Sequence, residues 1–308
     1  MIEPFSKTIG HKTARQVFLR MIENNQLPHA ILLVGPKHVG KTHLVTELIQ
    51  HLFHTTRHPS LISDVSLLAR EVDPKTSKKK SAISVKQVRA LVERLSMTPM
   101  EGNWKVAFIQ EADRLSTGAA NALLKTLEEP KGNTLIILRA ASVESVLQTI
   151  ASRCQIFRLP PVAKSEIKPA LQKRGLSKIE ADEISERSFG CPGIAIRYIQ
   201  DSEMRARKET AIAQVETLMN ASLPEQLRSV FELIPKTEID KSITLSHLLD
   251  DWSEVLRANL LKTVSEKQTA TVSKTARVLT CIQTVRAAIS HNINPHLSLE
   301  HIFLSTHV

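Results

Sequence analysis

Only three cysteines occur in 308 residues, Cys154, Cys191 and Cys281, and they lie far apart. So sparse and odd a set builds neither a disulfide framework nor a four-thiolate zinc site, and it fits a reducing compartment. Glycine (9) and the aromatics (8 Phe, 2 Trp, 1 Tyr) are equally scarce, which tilts the expectation toward helix. No apolar run approaches the ~20 residues of a membrane-spanning helix. The longest, around 30–34 and 135–138, have strand length. The opening Met1-Ile-Glu-Pro-Phe5 has no basic region and no long apolar stretch, so no secretory leader is read there and a cytoplasmic chain is expected. With 42% hydrophobic and 23% charged residues, the chain is neither disordered nor fibrous.

What is present is unevenly distributed. The net charge is +10, and residues 1–100 carry 15 Lys/Arg against 7 Asp/Glu, whereas residues 101–308 are close to balanced. A basic N-terminal third could meet phosphate groups, although a solvated face reads the same, and Lys78-Lys79-Lys80 has the look of a loop tip.

At about 150 residues per domain, the length is that of two domains or three small ones. Apolar tracts alternate with helical ones over the first half. Strands are predicted at Ala30–Val34, Lys105–Ile109, Thr134–Leu138 and Gln155–Arg158. Helices are predicted from Lys12, at Thr42–Phe53, Val85–Leu95, Ala119–Leu127 and Glu144–Ile150, and residues 54–83 read as a long polar excursion. Such alternation means βαβ units and a mostly parallel sheet. It stops at Leu159-Pro160-Pro161, and only helical patterning follows. The expected organisation is an α/β domain over 1–160, a small helical domain over 161–202 and an all-helical domain over 203–308.

Gly35-Pro-Lys-His-Val-Gly40-Lys41-Thr42 is a full G-x-x-x-x-G-K-[ST] between a predicted strand and a predicted helix, the setting that this motif requires. Gly35 and Gly40 let the backbone turn its N–H groups toward a phosphate, and the helix N-terminus adds a positive dipole end. Lys41 would reach the β- and γ-phosphates, and the Thr42 hydroxyl would ligate Mg²⁺ if a nucleotide binds. The strand Lys105–Ile109 leads to Gln110-Glu111-Ala112-Asp113. A metal-holding Asp is expected first in this run, but Gln110 carries no charge; Glu111 remains a weak candidate for polarising water, and Asp113 reads as a cap.

Asn121-Ala-Leu-Leu-Lys-Thr-Leu-Glu-Glu-Pro130 reads locally as an amphipathic helix stopped by proline. Together with Thr149-Ile-Ala-Ser-Arg-Cys154, Leu27-Pro-His-Ala30 and Gly190-Cys-Pro-Gly-Ile-Ala-Ile196, however, it resembles the clamp-loader branch of the AAA+ family, over about residues 27–200. The resemblance implies an α/β P-loop (AAA+) domain, a helical lid domain and an all-α C-terminal collar domain. It also implies a hetero-oligomeric ring with tau/gamma ATPase and delta subunits, which meets a sliding clamp and primer-template DNA, with no membrane partner.

Within that branch the chain is more similar to the non-motor delta-prime subunits than to the tau/gamma motors. Gln110 replaces the metal-binding Asp, Ala140-Ala141 stand where the motors carry a polar sensor, and Gly193 stands where their lid offers an arginine. Arg153 matches the family's arginine finger, which serves a neighbour's nucleotide in trans. Ser152 would cap or orient that segment and Cys154 would pack. Three functional readings follow: a stator-like subunit, an ATP-hydrolysing tau/gamma-like motor, and a stand-alone P-loop kinase or DNA-binding module. The helical second half, which offers no acceptor-substrate motif, disfavours the last. ATP with Mg²⁺ is the only cofactor expected, and weakly. Family members usually carry a four-cysteine zinc module after the P-loop helix, but residues 54–83 contain no cysteine. His51, His54 and His58 lack a thiolate partner, so no zinc is expected. Nor does any paired-carboxylate two-metal site point to polymerase chemistry in this chain.

Overall fold

The structure is a computed structural model that describes residues 5–74, 79–235, 237, 241–265, 269–289 and 293–307. Its packing divides the chain into two compact units, 1–196 and 197–308.

The first unit is built on five parallel strands, β1 (Ala30–Val34), β2 (Val65–Leu68), β3 (Lys105–Ile109), β4 (Thr134–Ala140) and β5 (Gln155–Arg158). They lie in the order β2-β3-β4-β1-β5. The period of two along β1 divides the core. Ala30, Leu32 and Val34 face one layer with Leu123 and Leu127 of α4 (Thr117–Glu128) and Val88 and Leu91 of α3 (Val85–Leu95). Ile31 and Leu33 face the other, with Phe18 of α1 (Lys12–Glu23) and Leu44 and Leu48 of α2 (Lys41–Leu52). A sheet covered on both faces explains why its central strands read as continuous apolar runs. The helix starts follow from local chemistry. Ser84 and Gln87 close a reciprocal capping box on α3, and the Ser116 hydroxyl accepts the Ala119 N–H on α4.

The structure departs from the sequence reading in three places. The excursion 54–83 contains β2, a strand that the four-strand reading missed. Val65-Ser-Leu-Leu is short, lies at the sheet edge and carries a polar residue, so neither length nor alternation marks it. The helix expected over 144–150 is the single turn α5 (Gln148–Ala151), because residues 142–145 fold into a turn closed by Ser145 donating to the Ser142 carbonyl at 2.8 Å. Strand β4 runs two residues beyond Leu138, which brings Arg139 and Ala140 into the sheet. Of the lysine cluster, Lys78 lies outside the described residues, and Lys80 pairs with Glu71 at 2.7 Å.

Three helices complete the first unit: α6 (Lys164–Gln172), α7 (Lys178–Arg187) and the start of α8 (Pro192–Gln200). The second unit holds α9 (Ser202–Asn220), α10 (Leu223–Leu233), α11 (Lys241–Ser265), α12 (Thr269–Ala288) and α13 (Pro295–Leu304). Its core gathers Leu245, Leu249, Trp252, Leu256, Ile282, Ile302 and Phe303. Inside it, Lys208 is buried and ion-paired with Asp251 at 3.0 Å and with Glu254. Among the described residues no helix is long and apolar enough to cross a membrane.

Candidate nucleotide pocket and surface arginine

β1 ends at Val34, between β4 and β5, and the chain turns there into the loop Gly35–Gly40 and then α2. That is the C-terminal edge of a parallel sheet, where such folds place ligands. Gly35 is required by close approach, since a side chain there would meet the Leu159 carbonyl oxygen at 2.2 Å. Gly40 sits at φ 110°, a conformation that favours glycine, and starts α2. The loop is clasped from several sides. The His11 ring nitrogen Nε2 bonds the Val39 carbonyl at 2.9 Å, and the Gly193 N–H donates to the His38 carbonyl at 2.8 Å. Gly35 N–H donates to Ala141 at 3.2 Å, so the Ala140-Ala141 position adjoins the loop.

Lys41 is 7% exposed and folds back onto its own loop, donating to the carbonyl of Gly35 and, at 2.6 Å, to that of Pro36. Burial, and after it the Arg139 guanidinium, push the Lys41 ammonium down to about 8. The Thr42 hydroxyl accepts a hydrogen bond from Nη1 of Arg139, whose Nε donates to the Gln110 carbonyl at 2.6 Å.

These residues do not fit a Mg²⁺ ion. Thr42, the expected ligand, is engaged by a permanent cation, and Gln110 supplies no charge. The carboxylate of Glu111 is clamped by Arg70, whose Nε reaches Oε2 at 3.1 Å and Nη2 reaches Oε1 at 2.9 Å. The Arg70 bonds hold Glu111 down at about 2, against the opposing pull of burial, which makes it a weak proton acceptor. Asp113 lies 3.6 Å from Nε of Arg114. Among the described residues no three His, Cys, Asp or Glu side chains converge on a metal position. The His51 and His54 rings meet edge-on at 6.3 Å, while His58 bonds Ser60 at 2.8 Å.

Arg153 is placed elsewhere. It follows α5 and precedes β5, whose Gln155 lies opposite Ile31 and whose Arg158 lies opposite Val34. Arg153 therefore enters the sheet at the edge opposite to its own P-loop, and the four residues of β5 alone separate the two edges by roughly 13 Å. Its side chain is 36% exposed and reaches Oε1 of Glu128 at the end of α4, from Nε at 2.6 Å and from Nη2 at 2.5 Å. Nη1 adds the Thr149 carbonyl at 3.0 Å and the Ser152 hydroxyl at 3.3 Å. Cys154 is half-buried, and burial pushes its thiol up to about 12, so it packs as an inert group.

Arg70 and Arg139 were missed by the sequence reading. Arg139 carries a usable signal, for a charged residue closing the apolar run Thr134–Leu138 stands at the ligand-binding edge of a parallel strand. Arg70 carries none, because β2 itself was not visible.

Comparison with known proteins bears on the family of the chain. The family model described as "DNA polymerase III, delta subunit" matches residues 10–163. The delta′ subunit of DNA polymerase III from Haemophilus influenzae is 35% identical over 60% of this chain and 52% of its own length. The gamma subunit of DNA polymerase III from Buchnera aphidicola is 30% identical over 54% of this chain and 47% of its own length. The matched region thus spans about half the length of these relatives. A RuvB mutant from Thermotoga maritima shares the fold alone, at a TM-score of 0.50 and 17% identity over 83% of this chain and 88% of that one. The chain belongs to the AAA+ clamp-loader family of DNA polymerase III subunits, and within it resembles delta′.

Proposed function

We propose that this chain is a non-motor, stator-like subunit of the sliding-clamp loader of the bacterial DNA polymerase III holoenzyme, acting in the cytoplasm during DNA replication. In this reading residues 1–160 form the AAA+ domain, 161–202 the lid and 203–308 the collar that joins tau/gamma and delta subunits in a ring. The sliding clamp and primer-template DNA are met through that ring. The observation that carries the reading is the separation of Arg153 from the chain's own phosphate loop. Arg153 stands exposed at the sheet edge away from its own P-loop, whereas the chain's own pocket has Gln110 where an acid would hold a metal. A guanidinium is permanently charged and forks onto phosphate oxygens, so Arg153 can stabilise charge that develops on a neighbour's γ-phosphate. With Glu111 clamped by Arg70, little is left to activate water in this chain. The ATP-hydrolysing tau/gamma-like motor remains the second reading, favoured by the complete Gly35–Thr42 motif and by the gamma relative. ATP hydrolysis by the isolated chain, with and without DNA, separates the two. No turnover above background supports the stator; turnover of about 1 s⁻¹ or more, an ordinary enzyme rate, supports the motor.

A further inference from the structure

Where a P-loop usually gathers a divalent cation, this chain supplies a cation of its own. Arg139, at the end of β4, donates from Nη1 to the Thr42 hydroxyl and from Nε to the Gln110 carbonyl at 2.6 Å. It thereby bridges the phosphate loop and the end of β3, the two elements that ordinarily hold the metal. A guanidinium carries five N–H groups, so three remain to donate. Neither Arg139 nor Lys41 is ion-paired with a carboxylate among the described residues: Glu111 is spent on Arg70, and Asp113 lies beside Arg114. Two neighbouring cations, Lys41 buried and Arg139 half-buried, therefore sit at a helix N-terminus with only neutral acceptors. The carboxylates of Glu111 and Asp113 act on them only from beyond ion-pair distance, so the two cations disfavour Mg²⁺ between them and favour a polyanion.

We propose that Arg139 takes the place of the divalent cation in this pocket, so that a nucleoside di- or triphosphate binds at Gly35–Thr42 without metal. The proposal rests on a nucleotide being the P-loop's ligand, and it is independent of the stator role of Arg153. It also gives a reason for weak hydrolysis. A fixed guanidinium neutralises phosphate charge, but it has no exchangeable water to orient.

The test is equilibrium binding of ATP and of ADP to the full chain, in excess Mg²⁺ and in excess EDTA, for the wild type, Arg139→Lys and Arg139→Leu. Wild-type affinity is expected to agree within about threefold between the two conditions. Arg139→Leu removes charge-assisted hydrogen bonds to phosphate and is expected to weaken binding in EDTA by about tenfold or more. Mg²⁺ should restore part of that loss, because the Thr42 hydroxyl is released. Arg139→Lys keeps the charge without the fork and should fall between the two, with an unchanged circular-dichroism spectrum as the check on folding. Wild-type binding that drops tenfold or more in EDTA would overturn the replacement of metal while leaving the nucleotide reading intact. Absence of binding by every form in both conditions would overturn both. Binding by Arg139→Leu alone would show that Arg139 plugs the pocket and would likewise overturn the proposal.

Discussion

The Gly193 N–H donates to the His38 carbonyl at 2.8 Å, so the start of α8 rests directly on the phosphate loop. The resemblance places an arginine of the motor subunits at this position, yet even a Cβ here would lie 2.8 Å from the His38 oxygen and 3.2 Å from its Cα. Both contacts are with backbone and cannot move aside cheaply. Gly193→Ala is therefore expected to destabilise the first unit by about 1–3 kcal/mol, the usual cost of overpacking. Chemical denaturation with a probe in that unit measures it. An arginine at this position should cost at least as much and restore no nucleotide contact.

Asp64 controls a second joint. Its buried carboxylate accepts from Lys105 Nζ at 2.7 Å and from the backbone N–H of Met100 at 2.8 Å and of Glu101 at 2.6 Å. Burial pushes this carboxyl up, but the Lys105 bond and the two N–H groups outweigh it and hold the group below its usual value. A depressed carboxylate contributes stability that is present above the unfolded value, near pH 4, and lost as pH falls through the lower folded value. Asp64→Asn leaves Lys105 without its carboxylate and should cost about 3 kcal/mol at pH 7. The difference from wild type should shrink in acid, where urea titrations between pH 7 and pH 3 would follow it.

The Arg153–Glu128 pair behaves differently because both side chains are partly open to solvent. Such pairs contribute at most about 1 kcal/mol, so Arg153→Ala and Glu128→Gln should each leave the melting curve nearly unchanged. Thermal unfolding checks this. A large loss of stability would mean that Arg153 holds the fold together rather than facing a partner. Glu128→Gln also removes the tether that aims Arg153, so it should impair a neighbour's hydrolysis less than Arg153→Ala does.

In the second unit, the buried Lys208 neutralises Asp251 and Glu254. Lys208→Ala leaves two carboxylates facing each other without a cation. It should cost about 3–5 kcal/mol, the range for breaking a buried pair. The loss should appear in helical circular dichroism on denaturation, and Lys208→Met should recover part of it by filling the space.

The legibility of this chain followed burial. The central strands β1, β3 and β4 announced themselves because both faces are covered, which leaves apolar runs bounded by turn residues. The turn of the P-loop was readable because Gly35 and Gly40 answer to backbone geometry. β2 escaped notice because an edge strand of four residues needs little hydrophobicity to pair. The contacts of Arg70 and Arg139 were hidden for a different reason, although the place of Arg139 at the end of an apolar run was legible. Each depends on a partner from a distant segment, Glu111 or Thr42, and no local period reports such a meeting. At Gly193 it is the contact with His38, invisible in a local pattern, that leaves no room for a side chain.

The most direct measurement is DNA-stimulated ATP hydrolysis by a clamp loader reconstituted with this chain as wild type, Arg153→Ala or Arg153→Lys, after gel filtration has shown equal assembly. If Arg153 completes a neighbour's site, Arg153→Ala should lower hydrolysis by about 10³-fold or more at that site, within the range known for such fingers. Arg153→Lys should fail to rescue it, because lysine lacks the two-pronged geometry. Hydrolysis and clamp loading that stay at wild-type levels in an intact assembly would contradict the finger role, and with it the stator reading.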